Sequence, residues 1–220
     1  MAIAVRELMD LSGAVSLVVG GAGHIGGVAC ETLAELGSSV AIADLSESDS
    51  TGLASSISER FGVVARPYSL DLSITEEVSS LPNRIASDFG QIDIVIHTAG
   101  MVGTKQLEGW VAPISDQSPA VWRLALEINL TSAFVLLQSS ECYLEQSSVG
   151  SVILVASLSG MFGPDNSLYM GTDMGSPAAY GVSKAGMIQL ARTFATSWED
   201  RIRCNSISPS GIERGQDPQF

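Results

Sequence analysis

A tyrosine and a lysine four positions apart could carry out proton transfer in this chain. Tyr180 and Lys184 belong to the segment Tyr-Gly-Val-Ser-Lys, and residues at i and i+4 of a helix lie on the same face. A phenol with an ordinary pKa of about 10 exchanges protons poorly at neutral pH, but a nearby ammonium favours the phenolate. The pair could therefore move a proton on or off an alcohol or carbonyl oxygen. A solvated surface pair would show the same spacing.

A glycine-rich turn near the start of the sequence indicates a phosphate-binding loop. The apolar stretch 14–19 precedes the sequence Gly-Gly-Ala-Gly-His-Ile-Gly at 20–26, and a helix is predicted at 27–36. A strand, a glycine turn and a helix in this order place a pyrophosphate at the helix N-terminus, where missing Cβ atoms let backbone amides approach it. The cofactor contacts predicted from this turn are Gly20, Gly23, His24, Ile25 and Gly26.

An acidic residue follows the next predicted strand. Asp44 comes directly after the apolar stretch 40–43, at about the distance from the glycine turn where a carboxylate binds the ribose of a dinucleotide. Such a carboxylate accepts hydrogen bonds from both ribose hydroxyls and repels a 2′-phosphate. The next residues are Leu45, Ser46 and Glu47, so no arginine follows closely to bind that phosphate. The sequence therefore predicts NAD in preference to NADP.

Apolar strands and helices alternate along the rest of the chain. Further strands are predicted at 63–68, 92–96, 152–156 and 202–207, and further helices at 48–61, 73–89, 120–145 and 178–198. Pro82 is expected to interrupt the helix at 73–89, because proline removes a helical hydrogen bond. The alternation predicts an α/β fold with a doubly wound parallel sheet, helices on both faces and a single domain over residues 1–220.

The residues that end these strands are expected to form one site. Ligands of such sheets bind beyond the carboxyl ends of the strands. Those ends carry the glycine turn, Asp44, Asp71, Ala99-Gly100, Ser157 and Pro209. Because all of them fall at the same edge of the predicted sheet, they indicate a shared binding cleft.

Composition excludes several classes of function. With 220 residues, of which 45% are hydrophobic and 16% charged, the chain can bury a large core. Its net charge of −13 argues against nucleic acid or an anionic membrane as a partner, and no apolar stretch of bilayer-spanning length is expected. Cys30, Cys142 and Cys204 are widely separated, which predicts free thiols, no metal site and a cytoplasmic location.

With these motifs in order, the sequence resembles the short-chain dehydrogenase/reductase family over nearly its whole length. The matching motifs are the glycine turn, Asp71-Leu72, Ala99-Gly100, Asn129, Ser157, Tyr180-x-x-x-Lys184 and the stretch 205–211. The resemblance implies a Rossmann-type fold, a nicotinamide cofactor and a small-molecule alcohol or ketone as substrate. It also implies a catalytic tetrad of Asn129, Ser157, Tyr180 and Lys184.

The resemblance assigns a role to each of these positions. Tyr180 would be the general acid/base, and Ser157 would hydrogen-bond the reacting oxygen. Lys184 would lower the pKa of the tyrosine and bind ribose hydroxyls, and Asn129 would hold a water in a proton relay. The remaining cofactor contacts would be Asp71 at the adenine amino group, Ala99 and Gly100 beside the adenosine ribose, Leu72, and Pro209.

Several positions depart from the family pattern. His24 replaces the middle glycine of the turn, which gives the glycine spacing of the family's extended branch, and His97-Thr98 replace a common Asn-Asn pair. The two histidines could be catalytic bases, although a phosphate neighbour and a link between strand ends are the favoured interpretations. The long segment around 162–174 resembles members of bacterial surface-sugar and flagellin-glycan pathways.

The family pattern also continues beyond this sequence. Ser210 replaces a glycine after Pro209, and Arg214 falls near the position of a threonine that often touches the nicotinamide amide. Members then continue into a substrate lid, another helix and a seventh strand. The sequence ends at Phe220, so the lid and the last strand are expected to be missing from it.

These observations predict an oxidoreductase that transfers a hydride between NAD(H) and a secondary alcohol or ketone, with sugar-like substrates among the candidates. A catalytically silent NAD-binding regulator and an NAD-dependent epimerase or dehydratase are the alternatives. A homodimer or homotetramer is expected, because the family pairs the helices that carry Asn129 and Tyr180. Residues that could form this interface, or cover the chain's own sheet, are Ala125, Leu136, Leu137, Met187, Ile188 and Leu190.

Overall fold

A computed structural model describes residues 8–102, 107–171 and 175–213. Within these residues, six strands form one parallel sheet. The strands are β1 (Val15–Val19), β2 (Ser39–Asp44), β3 (Ala65–Ser69), β4 (Ile94–His97), β5 (Ser151–Val155) and β6 (Arg203–Ile207). The α-helices are α1 (His24–Glu35), α2 (Glu47–Phe61), α3 (Thr75–Phe89), α4 (Pro119–Leu126), α5 (Ser132–Leu144) and α6 (Ala178–Trp198). The predicted doubly wound α/β fold with a parallel sheet is confirmed.

The order of the strands creates a cleft at one edge of the sheet. The order is β3-β2-β1-β4-β5-β6, so the direction in which the chain crosses the sheet reverses between β1 and β4. Val19 of β1 lies level with Ala43 of β2 and His97 of β4. The loops that follow β1 and β4 therefore diverge at the carboxyl edge, which is the ligand-binding position in doubly wound sheets.

Apolar residues cover both faces of the sheet. β1 is buried throughout, and its successive residues Leu17 and Val18 belong to different core clusters, because side chains alternate between faces along a strand. One cluster includes Leu136 of α5 and Met187 of α6, and the other includes Ile57 of α2. These two layers fix the helices against the sheet and so fix the residues at its carboxyl edge.

Pro82 does not interrupt α3, contrary to the sequence prediction. The helix continues through Pro82, which is buried. Val78, Leu81 and Ile85 of the same helix are fully buried, and burial of each such side chain contributes roughly 1.5–3 kcal/mol. This packing offsets the cost of about 3 kcal/mol for a proline inside a helix.

A π-helical turn divides the long helix predicted at 120–145. α4 ends before the π-helix Glu127–Thr131, and α5 begins directly after it. Asn129 lies in this turn and is fully buried. Because π-helical turns are found frequently at functional sites, the irregular turn agrees with the choice of Asn129 as a candidate site residue.

The continuous helical stretch Pro119–Leu144 is, among the described residues, the one helix long and apolar enough to cross a membrane. By length and composition alone, the prediction that no such stretch exists is wrong. Ala133, Leu136, Leu137 and Leu144 of this stretch are buried within the core of the fold. These side chains therefore pack in the hydrophobic core that covers the sheet.

Most of the residues considered for a subunit interface cover the chain's own sheet. Ile188 and Leu190 are partly buried against the core. Those with no more than 1% of their surface exposed are Ala125, Leu136, Leu137 and Met187. The apolar side chains exposed on the outer faces of these helices are different ones, notably Phe134 of α5 and Val182 of α6.

Candidate active site

A cleft of about 750 Å³ lies at the carboxyl edge of the sheet. Every residue that the sequence predicted for the site lines this cleft, except Asn129. The predicted residues that line it are Gly20, Gly23, His24, Ile25, Gly26, Asp44, Asp71, Leu72, Ala99, Gly100, Ser157, Tyr180, Lys184 and Pro209. We call the part beside the loops after β1, β2 and β3 the glycine-turn end, and the part beside Ser157 and Tyr180 the tyrosine end.

The glycine turn folds tightly onto itself before α1. A Cβ added to Gly26 would lie 2.0 Å from Gly20 O, so only glycine fits at this position. Gly23 is the N-cap of α1, and no side chain caps the helix. The first backbone amides of α1, beginning at the exposed His24, are therefore free to donate to phosphate oxygens. These features fit the pyrophosphate of a dinucleotide.

Asp44 and Asp71 hold the loops at the glycine-turn end. Asp44 Oδ2 accepts a hydrogen bond of 3.0 Å from the Ala22 amide, and Oδ1 accepts one of 3.4 Å from the Ser46 amide. Asp71 Oδ1 accepts hydrogen bonds from the amide and the hydroxyl of Ser73 at 2.9 and 2.7 Å. Both carboxylates line the cleft and also fix the backbone of their own loops.

His97 lies behind the cleft, between the sheet and α5. It is fully buried, and Nε2 lies 3.5 Å from Ser132 Oγ. Burial, and secondly the charge of Lys184, lowers the pKa of His97 to about 3. The imidazole is therefore a very weak base, and it does not line the cleft, so a role in linking β4 to α5 is favoured over that of a catalytic base. The adjacent Thr98 Oγ1 donates a hydrogen bond of 2.9 Å to Val19 O, which joins the ends of β4 and β1.

Lys184 is almost completely buried at the tyrosine end of the cleft. Its Nζ donates a hydrogen bond of 2.8 Å to Val155 O and lies 5.9 Å from the centroid of the Tyr180 ring. Burial lowers the pKa of Lys184 from 10.5 to about 8, because desolvation disfavours an ammonium. An ammonium has three donors, so the bond to Val155 leaves Nζ able to bind a ligand as well.

The loop after β5 and the first turn of α6 bring Ser157 and Tyr180 to the same end of the cleft. Ser157 Oγ accepts a hydrogen bond of 3.2 Å from the Ser159 amide, so its own proton can be donated to a ligand. A Cβ added to Gly160 would lie 2.6 Å from the backbone carbon of Lys184. Glycine at this position therefore lets the loop that carries Ser157 pack directly on α6.

Asn129 holds the loop after β4 from behind. Its Oδ1 accepts a hydrogen bond of 2.6 Å from the Met101 amide, and its Nδ2 donates to Met101 O at 3.3 Å and to Ser183 Oγ at 3.1 Å. The side chain thus joins the π-helical turn to the loop that contains Gly100 and to α6. Its predicted role in holding a relay water stays a prediction.

Several residues that line or support the cleft were not predicted from the sequence. Ser183, the partner of Asn129, could have been found because it lies inside the Tyr180 to Lys184 motif. No motif marks the loop residues of the tyrosine end, which include Met101, Val102, Leu158, Leu168, Tyr169, Ser176, Pro177 and Ile212. Three residues of the long segment, Thr172, Asp173 and Met174, lie outside the described residues, as does Arg214.

Comparison with known proteins agrees with this geometry. The sequence model of the family described as enoyl-(acyl carrier protein) reductase matches residues 20–218. The chain is a short-chain dehydrogenase/reductase. An NADP-dependent mannitol dehydrogenase of Alternaria alternata is 29% identical over 96% of this chain and 74% of its own length. A tropinone reductase homolog of Arabidopsis thaliana is 32% identical over 92% of this chain and 71% of its own length.

Solved structures of short-chain dehydrogenase/reductases resemble the whole fold. NAD⁺-bound xylitol dehydrogenase is 32% identical, with a TM-score of 0.80 over 93% of this chain and 72% of its own. A Shigella flexneri structure in complex with NADP is 30% identical, with a TM-score of 0.79 over 91% of this chain and 78% of its own. The likeness to bacterial surface-sugar enzymes stays a prediction.

The predicted preference for NAD over NADP is wrong. The relative from Alternaria alternata is NADP-dependent, and the Shigella flexneri structure contains NADP. The prediction treated Asp44 as a carboxylate free to bind or repel the ribose substituent. In the structure, its oxygens accept hydrogen bonds from the Ala22 and Ser46 amides, so the carboxylate has a structural task that is independent of the cofactor.

Proposed function

We propose that the protein is an oxidoreductase that interconverts a secondary alcohol and its ketone, with a nicotinamide dinucleotide as the hydride carrier. The observation that carries the proposal is the proximity of Tyr180, Ser157 and the buried Lys184 at one end of a cleft whose other end is an open helix N-terminus. The relatives named as dehydrogenases and reductases support it. Loss of turnover in Tyr180→Phe is the experiment that tests it.

In this proposal each side chain has a separate task. Ser157 donates a hydrogen bond to the oxygen of the ketone or alcohol. Tyr180 gives that oxygen a proton during reduction and removes it during oxidation. Lys184 supplies positive charge near the phenol and donates to ribose hydroxyls, while Asn129 holds the neighbouring loop through Met101. The bound nicotinamide supplies or accepts the hydride.

For the cofactor we propose NADP(H), to be tested by fluorescence titration with NADPH and NADH. We expect NADPH to bind at least as tightly as NADH. Asp44→Ala removes the carboxylate that accepts hydrogen bonds from the Ala22 and Ser46 amides. The affinity for both cofactors should fall by roughly tenfold, since hydrogen bonds to charged groups contribute about 1.5–3 kcal/mol. Asp44→Asn retains an acceptor for Ala22 and is the matched control. Preferred binding of NADH that disappears in Asp44→Asn would contradict this proposal.

The regulator and epimerase or dehydratase hypotheses have less support. A protein that only binds a dinucleotide has no need of Tyr180 and Lys184 together, because the lysine alone can bind the ribose. Neither alternative consumes the cofactor, so a change in NADPH absorbance with a panel of ketones separates the oxidoreductase from both. A cytoplasmic location and a single domain over residues 1–220 are part of the same proposal.

We also propose that the protein forms a homodimer or homotetramer through the outer faces of α5 and α6. Phe134 is 45% exposed, and its ring centroid lies 6.1 Å from that of Phe194, so the two helices share an apolar surface. Phe134→Asp would bury an unpaired charge in such an interface and should give monomers in light scattering at micromolar concentration. Ser55→Asp, an exposed change on α2, is the control. An unmodified protein that is already monomeric would refute this assembly.

A further inference from the structure

We propose that the substrate is an uncharged and largely apolar secondary alcohol or ketone, rather than a polyol or a phosphorylated sugar. The proposal rests on the proposed function of the same cleft and adds the substrate class. The names of the relatives leave this class open, because one is named for mannitol, one for xylitol and one for homology to tropinone reductase. The residues of the tyrosine end decide it.

Apart from the buried Lys184, the formal charge of the described lining lies at the glycine-turn end of the cleft. Among the described residues that line it, those with ionisable acidic or basic side chains are His24, Asp44, Asp71 and Lys184. The first three belong to the glycine-turn end. Lys184 is 3% exposed, donates to Val155 O and stands beside the ring of Tyr180. A phosphate or carboxylate at the substrate's outer end would find no opposite charge within the described lining, and desolvating it would be costly.

At the tyrosine end, apolar residues come from every surrounding segment of the described chain. They are Met101 and Val102 after β4, Leu158 after β5, Leu168 in the long segment, Pro177 before α6, and Ile212 after β6. Among the described residues, the polar side chains at this end, apart from Ser157 and Tyr180, are Ser159, Tyr169, Ser176 and Ser210. A polyol carries a hydroxyl on each carbon, and each hydroxyl left without a partner on binding lowers affinity.

The apolar lining continues to the mouth of the cleft. Leu158 and Ile212 are each 41% exposed, and Leu168 is 54% exposed. Met161 and Phe162 of the adjoining segment are also exposed. Exposed apolar groups concentrated at a cleft are typical of a site that buries an apolar ligand.

Leu168 is held in place by its own loop. It belongs to the 3₁₀-helix Asn166–Tyr169, which Asp165 caps by accepting hydrogen bonds of 2.9 and 2.7 Å from the amide and hydroxyl of Ser167. The next residue, Met170, is 79% exposed and does not line the cleft. Leu168 is therefore the specificity-determining residue to change, and Met170 is its matched control.

The experiment compares kcat/KM of the NADP⁺-loaded protein for 2-propanol, cyclopentanol, cyclohexanol, cycloheptanol, xylitol and mannitol. We expect kcat/KM to rise with ring size, by up to about fourfold for each methylene buried, and both polyols to be at least tenfold poorer than cyclohexanol, which corresponds to one or more unpaired hydroxyls. Leu168→Ser should lower kcat/KM for cycloheptanol by roughly tenfold and lower kcat/KM for 2-propanol by much less. Met170→Ser should leave kcat/KM unchanged for both cycloheptanol and 2-propanol.

The outcomes separate this proposal from the proposed function. Higher kcat/KM for xylitol or mannitol than for the ring alcohols would overturn the apolar class while leaving the oxidoreductase intact. If no alcohol in the series is oxidised, calorimetric binding to the NADP⁺-loaded protein still tests the class. If cyclohexanol binds and xylitol does not, the apolar substrate class is supported. If xylitol binds more tightly than cyclohexanol, or if neither binds, the apolar class is overturned. Equal effects of Leu168→Ser on cycloheptanol and 2-propanol would also contradict the role of Leu168.

Discussion

Tyr180→Phe is expected to lower turnover by a factor on the order of 10² or more, the usual loss when a general acid or base is removed. The substitution keeps the ring, which packs against an apolar cluster that includes Trp110 and Ala179. The phenolic hydroxyl alone is lost, so α6 and the cleft should keep their shape. NADPH binding should therefore survive, and kcat measured by NADPH absorbance should fall without a comparable change in the Kd from fluorescence titration.

The control for this prediction is a second tyrosine far from the cleft. Tyr143 of α5 donates a hydrogen bond of 3.2 Å to Asn83 Oδ1 and does not line the cleft. Tyr143→Phe makes the same chemical change and should leave kcat within about twofold of the unmodified protein. If Tyr180→Phe retained near-normal turnover of a good substrate, the proton would have to travel by another group, and the assigned site chemistry would be wrong.

The fold could be predicted from the sequence because local patterns mark most of its strands and helices. β1 and β2 are short apolar runs, and the turn between β1 and α1 uses glycine for the positive φ of Gly20 and for the close packing at Gly26. Parallel strands buried on both faces need such apolar runs, so the order of the strands along the chain could be predicted. Pro82 was misread because its effect on α3 depends on Val78, Leu81 and Ile85 packing in the core, and a local propensity rule does not include that packing.

The candidate site was predictable in its membership but not in its hydrogen bonds. Strand ends and motifs brought almost all of the predicted residues to one cleft. The hydrogen-bond partners of the polar side chains could not be predicted, because they come from loops distant in sequence. Asp44 bonds to Ala22 across 22 residues, and Asn129 bonds to Met101 across 28. Only the folded chain reveals that each of these side chains also supports a loop of the site.

Lys184 combines a functional role with a cost in stability. Its pKa is lowered from 10.5 to about 8 because the ammonium is buried. Below pH 8 the folded and unfolded chains both carry the charge, so the whole desolvation cost is present. Between about pH 8 and 10.5 the folded chain loses its proton while the unfolded chain keeps it, and the cost is relieved. Stability from this group therefore rises with pH across that window.

Lys184→Met should stabilise the cofactor-free protein at pH 7 while removing its activity. Removing the buried charge raises the free energy of unfolding by on the order of 3 kcal/mol. Losing the hydrogen bond to Val155 O lowers it by about 1 kcal/mol. The net gain of about 2 kcal/mol, measured by chemical denaturation, should shrink and disappear as the pH approaches 10.5. Arg192→Met, an exposed change on the same helix, should show no such pH-dependent gain.

In Lys184→Met, cofactor affinity and turnover should both fall, because the same ammonium is assigned to the ribose and to the phenol. A variant that is destabilised at pH 7, or equally stabilised at pH 7 and 10.5, would show that burial of the Lys184 charge is not the source of the cost.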